Sequence, residues 1–213
     1  MDKPTKGIIL ATLGVGAAAV ALYFALAGCS QKIDLDPYEV LGAVTAEETA
    51  KLLGAKGQVL VMARGTGANK NPSVEAELKA FQQTLKKQKG IKVITEKIQL
   101  SPMQMMAMGG VPPEHFLKAL ESHPNLGAVV LFLGFPQLTD SELEVLKTSG
   151  VKIVVACALR PGDQRLIERQ AINLAIVPRS DSPPPRTPAP RTLRERFDQE
   201  FTIITPPTAA RLP

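Results

Sequence analysis

Cysteine and histidine, the side chains most used as nucleophiles, bases and metal ligands, occur twice each, at Cys29, Cys157, His115 and His123. His115 and His123 fall in or beside one predicted helix, too far apart for a one-turn ligand pair, and neither belongs to a metal motif. They read as surface histidines. Cys157 closes an apolar run, where a buried, inert thiol is the usual outcome. No G-x-S-x-G elbow and no C-x-x-C pair occurs. Asp140, Glu142 and Glu144 fit helix capping and a solvated face better than a paired acid and base. Met103, Met105, Met106 and Met108 cluster in "SPMQMMAMGG". Thioethers select Cu(I), but methionine more often makes a pliable apolar segment over a core, and that reading is preferred. The sequence is therefore read as non-enzymatic, with no catalytic residue, metal or cofactor.

Binding chemistry remains. The stretch "RGTGANKN", residues 64–71, runs from an apolar segment into a helix start, combining glycines with free backbone N–H groups at the positive end of a helix. It lacks the G-x-x-x-x-G-K-[ST] string and only partly matches a dinucleotide fingerprint, so a plain strand-to-helix turn is the competing reading. If a small polar ligand binds, Arg64, Thr66 and Asn69 are the expected polar contacts. Phe135 and Gln137, in "GFPQ" at 134–137, are expected across the crevice.

Those residues need a scaffold, and the patterning supplies one. "QVLVMA" is a strand followed by a helix with Asn71 as N-cap, Pro72 at its first position, and Val74, Leu78, Phe81 and Leu85 on one face. "IKVITEKIQL" alternates, as a strand with a less covered face or edge does. "PPEHFLKALESH" is a helix, "AVVLFLG" the most apolar strand, and "TDSELEVLKTSG" a helix marked by Thr139, Glu142 and Gly150. "KIVVACA" and "INLAIVP" add two strands around a short helix near Leu166. The expected fold class is α/β: a single doubly wound parallel sheet of about five strands in the order 2-1-3-4-5. Ligands of such sheets sit at the strands' carboxyl ends, and the loops at 64–71 and 134–137 would share one crevice beside the switch between strands one and three.

Around this domain, taken as residues 45–180, the pattern changes. Thr45 and Glu48 form a capping-box pair with Gly54 as a stop, so a helix opens the domain and 29–44 reads as a tether. "PRSDSPPPRTPAPR" should be extended and stiff, and the tail at 181–213 is expected to bring its short helix and the β-prone "FTIIT" back onto the domain. The net charge of +5 is spread between Lys-rich helices and an Arg-bearing tail, so no basic stripe suits nucleic acid. At the other end, Lys3 and Lys6 precede an uncharged apolar stretch from Ile8 to Ala27, the layout of a signal peptide or membrane anchor at 1–28.

Two resemblances follow from these residues. Leu26-Ala27-Gly28-Cys29 resembles the lipobox of bacterial lipoproteins. The resemblance implies that Cys29 carries a diacylglycerol after the signal is cut, anchoring the protein to membrane in the bacterial cell envelope. An uncleaved single-pass helix is the alternative; in both cases the domain lies outside the inner membrane. Ser30 is similar to the residue found in lipoproteins sorted to the outer membrane. From Gln58 to about Ser180, "VLVMARG", "LGAVVLFLGFPQLTDSELEVLKTSGVKIVVACA" and "INLAIVPRSD" resemble one lobe of the type I periplasmic sugar-binding proteins and their repressor relatives. That family closes a second lobe on its ligand, whereas here the Pro-rich stretch follows. The expectation is a half-clamshell that binds a small polar ligand, with a homodimer or an envelope protein partner completing the enclosure. The alternative is a structural or assembly subunit of an envelope complex with no small ligand.

Overall fold

Helix α1 (Asp36–Leu53) starts on Asp36-Pro37, an acidic residue and a proline in the first turn, and ends at Gly54, whose φ of 62° lets its N–H turn back to the carbonyls of Ala50 and Lys51. In the computed structural model, residues 33–209 are described except 55, 66, 68, 69, 102, 105–108, 157, 158 and 180–191. Cys29 with the whole 1–28 segment, Thr66, Asn69, Cys157, three of the four clustered methionines and most of the Pro-rich stretch lie outside the described residues. Gly54 ends the helix as expected, but Thr45 does not begin it. Thr45 is buried in mid-helix with its hydroxyl donating to the Leu41 carbonyl at 2.7 Å, and Glu48 instead holds Lys51 at 2.8 Å. Much of the supposed tether is thus helix, because Val40 to Ala46 are all buried and packing outweighs the local cap signal.

Strand β1 (Lys56–Arg64), helix α2 (Pro72–Lys86) and strand β2 (Gly90–Ile98) come next. Helix α3 (Pro113–Ser122), strand β3 (Ala128–Leu131), helix α4 (Asp140–Ser149) and strand β4 (Lys152–Ala156) follow. Helix α5 (Asp163–Glu168), strand β5 (Leu174–Pro178), helix α6 (Leu193–Glu200) and strand β6 (Phe201–Ile204) complete the order. The sheet has six strands in the order β2-β1-β3-β4-β5-β6, so the predicted 2-1-3-4-5 is present and a sixth strand extends it. β1 to β5 are parallel, while β6 runs antiparallel to β5, with Ile176 opposite Ile203. The added strand is the β-prone run of the tail. α6 carries a Thr192–Glu195 capping box, buries Phe197, and is tied to α1 by Arg196–Asp36 and by Arg194–Glu48 at 3.0 Å.

Period-two alternation divides β1 between two cores. Val59, Val61 and Ala63 face α1, α2 and α6, meeting Val44, Leu78, Phe81 and Phe197. Leu60 and Met62 face α3, α4 and α5, meeting Phe116, Leu146 and Ile167. β3 is buried along its whole length, as a central strand covered on both faces must be. Among the described residues no helix is long and apolar enough to cross a membrane.

α1 and α2 approach closely at Gly42, where a side chain's Cβ would run into the carbonyl oxygen of Glu77. Backbone cannot yield as a flexible side chain does. Gly42→Ala is therefore expected to cost about 1–3 kcal/mol despite alanine's better helix propensity. Urea unfolding checks this; a variant as stable as the parent would mean the helices part freely.

Candidate functional site

The carboxyl ends of β1, β3 and β4 form one edge of the sheet, and three loops leave from it. After Arg64, which is half-buried, the Gly65 N–H donates to the Ile98 carbonyl at 2.8 Å, holding the first loop against the end of β2. The end of the Gln99 side chain lies where a Cβ on residue 65 would sit, so a larger residue there would displace that amide. Asn71 caps α2, its side-chain oxygen accepting from the N–H groups of Ser73 at 3.0 Å and Val74 at 3.5 Å. Two of the N–H groups that made this helix start a candidate anion cradle already have an acceptor within the chain.

The loop leaving β3 differs from expectation at Phe135. Its ring is fully buried, tilted at 57° to that of Phe116 with centroids 6.2 Å apart, and so belongs to the core. The reason is the approach of residues 109–111: the Val111 N–H donates to the Gly134 carbonyl at 3.2 Å, and Gly110 has no Cβ because the Phe135 carbonyl occupies that space. What Phe135 offers the edge is that carbonyl. Gln137, two residues on, is exposed.

The third loop holds residues that the sequence reading passed over. Arg160 donates to the Phe135 carbonyl at 2.6 Å through Nη2, and the same nitrogen reaches Asp163 Oδ1 at 3.2 Å. Asp163 Oδ2 accepts from the Arg160 backbone N–H at 2.9 Å. Asp163 is only 4% exposed, so this charge pair is largely withdrawn from water. Gly162, at φ 97°, turns the chain between the two. "RPGD" reads as a turn, and the Arg-x-x-Asp spacing inside it is the one signal that could have drawn attention to the pair.

Gln137, the Phe135 segment and the Arg160–Asp163 pair line a cleft of about 340 Å³ between the exits of β3 and β4. Arg64 is not among its walls. The structure therefore brings Phe135 and Gln137 together with Arg160 and Asp163, one strand over from the expected crevice between β1 and β3.

No family model and no curated protein matches the chain. Solved structures do. An arabinose-binding protein from Geobacillus stearothermophilus superimposes with a TM-score of 0.57 at 14% identity, covering 83% of this chain and 63% of that one. An ABC transporter solute-binding protein from Burkholderia graminis, in complex with D-arabinose, gives 0.54 at 18% identity, covering 82% and 61%. One from Agrobacterium vitis, bound with alpha-D-tagatopyranose, gives 0.53 at 16% identity, covering 81% and 59%. The chain thus spans about three fifths of the length of these structures. At such identities the likeness is one of fold: the chain has a periplasmic-binding-protein-like α/β fold.

Proposed function

We propose that the protein is a non-enzymatic lipoprotein of the bacterial envelope, anchored through Cys29, that binds a small, neutral, polyhydroxylated ligand of the sugar class. The observation that carries the ligand is the cleft at the β3 and β4 exits. It combines donors and acceptors, from Gln137 and the edges of the Arg160–Asp163 pair, with the apolar flank of Leu138. Because the guanidinium and carboxylate face each other, a net-neutral ligand suits the site better than an ion. Its volume of about 340 Å³ lies at the small end of ligand pockets, which commonly run from roughly 300 to 1,000 Å³. The fold shared with sugar-binding proteins supports the same class.

The full chain in detergent, melted with a panel of pentoses and hexoses that includes arabinose and tagatose, tests this. A ligand at a hundredfold excess over its Kd should stabilise by about 2.7 kcal/mol, a shift of several degrees. Gln137→Ala should abolish the shift. Arg64→Ala with Asn69→Ala tells whether the β1 loop reaches the same ligand. If no sugar moves the transition, the sugar assignment fails. The anchor is tested separately by intact mass: a chain beginning at Cys29 with added diacylglycerol, absent in Cys29→Ser, is the expected result.

A further inference from the structure

Strand β2 ends the sheet. It pairs with β1 over nine residues, from Gly90 opposite Lys56 to Ile98 opposite Arg64, and among the described residues no strand lies on its other side. Nine residues is long for an open edge, since such strands are usually short or interrupted by proline or a bulge. The Ile98 carbonyl accepts from Gly65 on the β1 side. N–H and C=O of one residue point the same way and alternate along a strand. Ile91, Val93, Thr95 and Lys97 therefore turn their backbone groups outward, and Lys92, Ile94 and Glu96 turn theirs toward β1.

We propose that two copies of the chain join through this edge, with β2 pairing antiparallel to β2 of the partner about a two-fold axis at Ile94. The charge pattern selects that register. Centred on Ile94, Lys92 of each copy stands opposite the partner's Glu96, so two cross-strand ion pairs flank an Ile94–Ile94 contact on one face. Val93 then stands opposite the partner's Thr95, and these outward residues form the hydrogen-bonded pairs. Moving the register by one pairing step in either direction leaves Lys92 and Glu96 without each other. Edge lysines ordinarily oppose association; here the lysine nearest the centre is matched by a carboxylate. Glu96 is held for it, with an oxygen 3.3 Å from His123 Nε2 and a side chain 38% exposed.

The symmetry has a consequence for the clefts. A two-fold axis through antiparallel edge strands stands perpendicular to the sheet, so the carboxyl ends of the two sheets point in opposite directions. Each cleft stays open and separate. This dimer does not close one lobe over the other's ligand, and association and sugar binding are independent.

The test uses the full chain in detergent, its mass measured by light scattering with the detergent contribution subtracted, without sugar. The wild type is expected at the mass of two chains. Glu96→Lys, which sets lysine against lysine, should weaken association at least tenfold, and Lys92→Glu combined with Glu96→Lys should restore it. Ile94→Cys should give a disulfide-linked dimer on mild oxidation well above the level of wild type and of Val93→Cys, because only residue 94 meets its own copy. A wild-type monomer, a dimer indifferent to Glu96→Lys, a double variant that stays dissociated, or equal cross-linking at 93 and 94 would overturn the proposal. The sugar-dependent melting shift is a separate readout, so either result can fail without the other.

Discussion

Between about pH 5 and pH 8 the folded chain is expected to lose on the order of 4 kcal/mol of stability through Glu77 alone, and Glu77→Gln should remove that loss. Glu77 lies on α2 at the contact with α1, only 8% exposed, and burial pushes its carboxyl from the ordinary 4.5 up to about 8. Desolvation disfavours the charged form, and burial is its only cause here. In the unfolded chain the same group ionises near its ordinary value. Across the interval between the two values the folded state holds a proton that the unfolded state has released, so stability falls as pH rises. The contribution is full below about pH 4.5 and gone above about pH 8. Glutamine has the shape of the protonated acid and does not titrate. The two proteins should be nearly equal at pH 4.5 and diverge upward, the variant gaining by several kcal/mol at pH 8. Urea unfolding of both across this range isolates Glu77 from every other titrating group. A difference that does not change with pH would mean the carboxylate reaches water in the folded state.

Glu77 also shows where sequence reading stops. A glutamate between alanine and leucine in an amphipathic helix reads as solvated, and it is buried only because α1 lies over it. The start of α1 was itself misread, since Thr45 and Glu48 imitate a capping box while the true start at Asp36 has no side-chain cap. Caps that act locally were legible: Asn71 before Pro72, and Thr139 with Glu142 and Gly150, stand as expected. Strand order was legible too, because β3 is apolar throughout, β4 is apolar after Lys152, and β2 alternates. At the site, legibility failed wherever a role depends on a partner far along the chain. Phe135 looks like a residue facing the crevice until Gly110 is seen packed on its carbonyl, and the Arg160–Asp163 pair acquires its meaning from that same carbonyl, 25 residues before Arg160. Neighbours of that kind leave no periodic trace.

Arg160→Met should cost about 3–5 kcal/mol and loosen the loops that frame the cleft. The guanidinium is the counter-charge to a nearly buried carboxylate and also spans to the β3 exit through the Phe135 carbonyl. Without it, Asp163 keeps the backbone N–H of residue 160 but loses the cation, and an uncompensated buried charge is the expensive state. Lysine should rescue little, since a single ammonium cannot reach both oxygens of Asp163 and the carbonyl in the planar fork that Arg160 uses. Arg160→Met combined with Asp163→Leu removes both charges at once and should recover most of the lost stability, because the penalty lies in the orphaned carboxylate more than in the missing attraction. Recovery of fold need not bring recovery of function. The double variant keeps the cleft and Gln137 but loses the polar edges of the guanidinium and carboxylate, so it should melt near the wild-type temperature yet show a sugar-dependent shift much smaller than that of the wild type. Chemical denaturation of the three variants, with melting in the presence of sugar, separates these effects. If the single variant lost less than about 1 kcal/mol, or the double were no better than the single, the pair would be a solvent-screened surface bridge, and the cleft would have to be held by the packing of Phe135 and Phe116 alone.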